Sequence, residues 1–177
     1  AQPSPDSALG RAACDSASDA PLLHGRVGAG AGATVGKLRG PDHAMPGGMG
    51  SFATRLGEFR IGAVAVVNAW GDVVDHDGSI VAGARADDGT FVDSMHAAAA
   101  GRGTGSAITN TTLCAVATDA PLSRTALQVL ARMGSSAIVR RIAPANTIFD
   151  GDVVFALSTA TGVEELPPPE LLALGVA

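Results

Sequence analysis

Apolar and polar positions along the chain fall into short, separated blocks. The longest apolar block is Phe59 to Val67, which after Arg60 has apolar side chains on both faces. Such a run predicts a strand in a sheet covered on both sides. Ser51 to Leu56 precedes it across the tight Gly57-Glu58 connection, so the pair reads as a β-hairpin. Met45 to Gly50 reads as the turn leading in. Val73-Val74 and Ile80-Val81 read as two short edge strands around Asp75-His76-Asp77-Gly78, a turn of solvated residues rather than a metal cluster. Residues 86–106 lack periodicity and predict a loose loop.

Thr111 to Thr118 predicts a third long strand, broken by Asp119-Ala120-Pro121. Ser123 then suits the cap of a helix with Leu127, Leu130, Ala131, Gly134 and Ile138 at helical spacing. Arg140 and Arg141 lie near its C-terminal end, where cations are favoured, and Pro144 stops the run. Val153 to Leu157 predicts another strand, and Pro167 to Pro169 opens a final helix. At the other end, Asp6 or Ser7 caps a short helix carrying Ala8, Leu9, Ala12 and Ala13. Hairpins crossed by a helix favour a layered α/β sandwich over a doubly wound βαβ sheet.

Composition narrows the functional classes. The 177 residues suit one domain. A hydrophobic content of 46% and a mean hydropathy of +0.27 are enough for a buried core. Aromatics are 3% and Tyr is absent, so that core is built from Ala, Val, Leu and Ile. A net charge of −5 with no basic run argues against a nucleic-acid surface. No apolar run approaches the ~18 residues of a membrane span, and no signal-peptide run is visible. The expected location is cytoplasmic, with no membrane partner, although nothing in these runs decides it. Cys14 and Cys114 fit no metal or redox spacing and read as two buried thiols. No cofactor is implied.

Two stretches carry candidate chemistry. Gly25 to Leu38 invites nucleotide readings, and both fail. A Walker loop needs Gly at position 31 and Ser or Thr at 38, where this chain has Ala and Leu. A dinucleotide fingerprint needs a strand before the glycines. What survives is close backbone passage delivering a single lysine, Lys37, into an apolar run. The second stretch runs from a Gly- and Ser-rich loop into Asn110-Thr111-Thr112 and a β-leaning run. That is the order of a peptide bond that cuts itself and leaves threonine at the head of a strand. A threonine hydroxyl becomes a useful nucleophile when its own freed α-amine, titrating near ~7.7–8.0, acts as base. The same residues are also an ordinary strand start, and Thr112 stands as the alternative nucleophile. Asn68, at the end of a buried strand, is a turn former or a delivered amide. Asp150 and Asp152, two apart at a strand mouth, are a polar turn or a base-orienting pair.

In order along the chain, residues 28–38 (GAGAGATVGKL), 47–51 (GGMGS), 65–69 (AVVNA), 71–75 (GDVVD), 82–85 (AGAR), 110–113 (NTTL), 116–122 (VATDAPL) and 150–157 (DGDVVFAL) resemble the DmpA-type aminopeptidase and β-peptidyl aminopeptidase family, whose relatives include nylon-oligomer hydrolases. The resemblance implies a four-layer αββα sandwich like that of the N-terminal-nucleophile hydrolases. It implies self-cleavage between Asn110 and Thr111, giving pieces 1–110 and 111–177 that stay associated as partner chains, usually in a homo-oligomer. Thr111 would be the nucleophile, Lys37 the active-site lysine, and Asn68 the amide donor to the oxyanion or nucleophile. Asp150 and Asp152 would orient the amine and the lysine. The substrate would be a small peptide or an amide oligomer.

Some features depart from the family. Members carry a large segment ahead of the point where this sequence begins, and some place a tyrosine near the nucleophile. Asn146 stands where relatives often have His. The chain therefore resembles the later part of a member, and inactivity without the earlier segment is expected. Two other readings remain beside this one: an acyltransferase of the ornithine acetyltransferase type, and a non-catalytic assembly domain.

Overall fold

A computed structural model describes residues 6–103, 110–163, 166 and 168–177. In chain order the elements are α1 (Ser7–Asp15), a 3-10 turn (Gly28–Gly30), β1 (Thr34–Val35), a second 3-10 turn (Pro41–His43), β2 (Met45–Pro46), β3 (Gly48–Leu56), β4 (Phe59–Asn68), β5 (Asp72–Val74), β6 (Ile80–Ala82), α2 (Ser94–Ala99), β7 (Thr111–Thr118), α3 (Arg124–Val139), β8 (Ile142–Ala143), β9 (Val153–Ser158) and α4 (Pro168–Val176).

The main sheet has the order β3-β4-β7-β9. β3 and β4 form the expected hairpin, with Leu56 opposite Phe59 and Gly57 in the left-handed region at φ 57°. β4 pairs antiparallel with β7, from Ile61 opposite Thr118 to Asn68 opposite Thr111. β7 pairs parallel with β9, starting with Leu113 beside Val153. Along β7 the side chains alternate as a pleated strand requires: Thr112, Cys114, Val116 and Thr118 are buried, and Leu113 is exposed. The buried set faces α3, which begins at the cap of Ser123 Oγ accepting from Ala126 N–H at 3.2 Å. Leu130 and Ile138 of α3 and Leu174 of α4 join Ile61, Cys114 and Val116 in one core.

The other face of the sheet differs from expectation. Among the described residues no helix packs on it: the glycine-rich segment lies across the end marked by Val66 and Asn68, while Phe155 (60% exposed) and Leu157 (43% exposed) face outward. β4 is thus central in its sheet, yet from Gly62 to Asn68 its residues are only half-buried.

Four further expectations change. Met45 to Gly50 is not simply a turn, because β2 pairs with β1 and β3 already begins at Gly48. β5 is not an edge: it lies between β6 and β8, a partner supplied from beyond α3 that no local pattern reveals. The segment expected as a loose loop contains α2, capped by Asp93 and tied down where the buried Asp72 carboxylate accepts the Ser94 N–H and hydroxyl, both at 2.7 Å; its residues 104–106 lie outside the described set. Cys14 is exposed on α1, whose residues are all at the surface, so only Cys114 is a buried thiol. The Asp75–His76 turn is solvated as expected, with the ring Nδ1 2.8 Å from the neighbouring carboxylate.

Candidate active site

The glycine-rich segment brings Lys37 inward by running against the backbone that follows β4. Gly36 N–H donates to Gly71 O at 2.9 Å and Lys37 N–H to Trp70 O at 2.8 Å. Gly36 sits at φ 69°, and any side chain there would collide with the backbone of Gly83 and Ala84. The glycine is therefore what lets the lysine lie against the end of β4.

Lys37 Nζ donates to Asn68 Oδ1 at 2.7 Å and to Asn68 O at 3.0 Å. Asn68 Oδ1 also accepts the Thr34 N–H at 3.0 Å. An atom between two donors must be the carboxamide oxygen, so the –NH2 end of Asn68 is turned the other way. Burial lowers the Lys37 pKa from 10.5 to about 8, and the nearby Asp150 charge opposes part of that shift.

Thr111 stands across the sheet from Asn68 and shares its face. Its Oγ1 donates to the Asn110 carbonyl oxygen at 2.6 Å. Together with Ala29, Gly32, Ala33, Val66 and Leu113, these two residues line a cavity of about 210 Å³. Thr112 points the opposite way. It is 1% exposed, lines a larger apolar cavity of about 300 Å³ toward α3, and its hydroxyl has no hydrogen-bond partner among the described residues.

The turn before β9 grips the start of β7. Asn110 forms a parallel bridge to Asp150, and its side-chain amide donates to Phe149 O at 3.1 Å. Gly151 N–H donates to Asn110 O at 2.9 Å. Asp150 accepts from Trp70 N–H at 3.2 Å and from the Thr147 N–H and hydroxyl at 3.1 and 2.6 Å. Asp152 accepts the Thr112 N–H at 2.6 Å and the Asn146 N–H at 3.4 Å. Asn146 itself is at φ 52°, a conformation asparagine tolerates better than most residues.

All five side chains singled out in the sequence, and the Asn110–Thr111 bond, thus gather at one end of the main sheet. In this structure both carboxylates bind mainly backbone N–H groups, with Thr147 adding a hydroxyl. Thr34, Thr147, Trp70 and Gly151 were not singled out. All four act through backbone N–H groups, which leave no side-chain signature to read, and Thr147 alone adds its hydroxyl, three residues before Asp150 at the spacing of a local turn. The arrangement can present a hydroxyl, a cation of lowered pKa and a fixed carboxamide to a carbonyl group.

The model of peptidase family S58 matches residues 5–174. A 6-aminohexanoate-oligomer endohydrolase from Paenarthrobacter ureafaciens is 37% identical over 161 residues, covering 88% of this chain and 45% of that protein. An uncharacterized aminopeptidase of Mycobacterium leprae is 36% identical over 180 residues, covering 92% of this chain and 48% of that protein. The chain therefore spans about half the length of these curated relatives. The L-aminopeptidase D-Ala-esterase/amidase of Ochrobactrum anthropi, described as a variant of the N-terminal-nucleophile hydrolase fold, superposes with a TM-score of 0.66 at 23% identity, covering 96% of this chain and 45% of that one. The α/β architecture described above is part of that fold.

Proposed function

The chain belongs to peptidase family S58, and on that premise we propose that it is the nucleophile-bearing part of a self-processing amide hydrolase. The backbone is cut between Asn110 and Thr111. The freed Thr111 then attacks substrate carbonyls with its hydroxyl, and its own α-amine takes the proton. The single observation that carries this reading is the β4–β7 register. It sets Thr111 opposite Asn68, on the face lining the cavity, with Lys37 bonded to Asn68, and it turns Thr112 away.

Each neighbour has a role in this reading. Protonated Lys37 lowers the pKa of the α-amine and keeps it in its basic form at neutral pH. The –NH2 end of Asn68 donates to the developing oxyanion, an interaction of the kind worth ~2.7–4 kcal/mol of transition-state stabilisation. Asp150 and Asp152 hold the turn that fixes the head of β7, and orient the new amine and the lysine. The cavity walls at Ala29, Ala33, Val66 and Leu113 carry no charge. They suit a slim, uncharged acyl segment, as in a small peptide or a short amide oligomer. The cut pieces stay paired, because β4 and β7 come from opposite sides of the cut and share a ladder of eight residue pairs. The working enzyme is a homo-oligomer of such pairs.

Intact-mass measurement and N-terminal sequencing test the reading. Two pieces are expected, one beginning at Thr111, and Thr111→Ala leaves the chain whole. A wild-type chain that stays uncut counts against it. Release of free amine from an aminoacyl anilide by the full-length protein, without acetyl transfer to glutamate, separates hydrolase from acyltransferase.

A further inference from the structure

Among the described residues, two hydrogen bonds reach the Asn110 carbonyl oxygen. One comes from the Thr111 hydroxyl at 2.6 Å, the other from Gly151 N–H at 2.9 Å. The two donors have different fates when the hydroxyl attacks this carbonyl. The hydroxyl gives up its proton as its oxygen bonds to the carbon, so its hydrogen bond disappears as negative charge builds on the oxygen. The Gly151 N–H stays. We propose that the backbone N–H of Gly151 is the oxyanion donor of the self-cleavage step, in the sequence that cuts before Thr111 as read above.

The donor is preorganised, which is what such a group needs to be effective. Asn110 bridges Asp150 in parallel, and its side chain holds Phe149 O. Asp150 is anchored by Trp70 and Thr147, and Asp152 takes the Thr112 N–H. Residues 149–152 thus hold the peptide groups on both sides of Thr111. The absence of a side chain at 151 also matters: a Cβ there would lie 3.0 Å from Thr111 Oγ1.

The chemistry balances without any cofactor. The Thr111 Oγ–C bond forms to the Asn110 carbonyl carbon, giving a tetrahedral oxyanion held by Gly151 N–H. On collapse the carbon–nitrogen bond breaks, and the departing Thr111 nitrogen takes up the proton lost by the hydroxyl. Water then hydrolyses the resulting ester to an Asn110 carboxylate and a free Thr111 hydroxyl.

The test replaces Gly151 by glycolic acid in the full chain, exchanging the N–H for an oxygen. Cleavage is followed by denaturing gel and intact mass, with far-UV circular dichroism confirming the fold. Cleavage is expected to slow by ~10²-fold, the scale set by losing one oxyanion donor. If the ester variant fails to fold, N-methylglycine at 151, which also lacks the N–H, takes its place. An N–H-deficient variant cutting at the wild-type rate overturns the assignment to Gly151. A wild-type chain that never cuts at this bond overturns the self-cleavage reading and this inference with it.

Discussion

The Lys37 ammonium lies 2.7 Å from the carboxamide oxygen of Asn68 and 3.0 Å from the backbone carbonyl of the same residue. One asparagine therefore holds the lysine by two of its oxygens, while its backbone pairs with Thr111 across the sheet. The cation, the amide and the hydroxyl are coupled through a single residue at the end of β4.

The Lys37 titration is the first consequence. Its pKa, lowered to about 8 chiefly by burial, should be seen directly by NMR of the 13C-methylated amine. Asp150→Asn removes the charge that holds it up, so the value should fall further. Between about 8 and 10.5 the unfolded chain binds a proton that the folded chain does not, so this residue makes stability rise with pH across that window. Lys37→Met should remove that slope. A pKa near 10.5, or an upward move in Asp150→Asn, would refute the account.

Thr112 gives a prediction of opposite sign from the usual core substitution. Its buried hydroxyl has no partner among the described residues, and valine has nearly the same shape. Relieving a buried unsatisfied hydroxyl should stabilise the uncut Thr111→Ala chain by about 1–2 kcal/mol in urea unfolding. With Thr111 intact, Thr112→Val should still cut after Asn110. Loss of cleavage in this variant would shift the nucleophile to Thr112.

Leu130 of α3 is 2% exposed and belongs to the core beneath β7. Leu130→Ala should cost ~2–5 kcal/mol. The measurement belongs in the uncut Thr111→Ala background, where one chain unfolds. A cost below ~1 kcal/mol would show that α3 is not seated on the sheet as described.

What was legible before the structure was what neighbours in sequence decide. The Asp6 and Ser123 caps, the Gly57-Glu58 hairpin and the helical spacing from Leu127 to Ile138 each act within a turn or two of chain. β8 beside β5, the parallel pairing of β9 with β7 and the anchoring of α2 by Asp72 join residues far apart. They leave no periodic trace. Cys14 illustrates the same limit, since α1 has an apolar pattern yet no neighbour to bury it against among the described residues.

By itself the amino-acid order determined the longer strands β4, β7 and β9, the helices α1, α3 and α4 and the reactive side chains at issue, because capping, alternation and residue chemistry are local properties. Only the tertiary structure decided which threonine shares a face with Asn68, how far burial lowers Lys37, and which backbone N–H meets the Asn110 carbonyl. Those depend on strand register, on exclusion of water and on donors carried by the main chain, and each arises only when distant segments pack together.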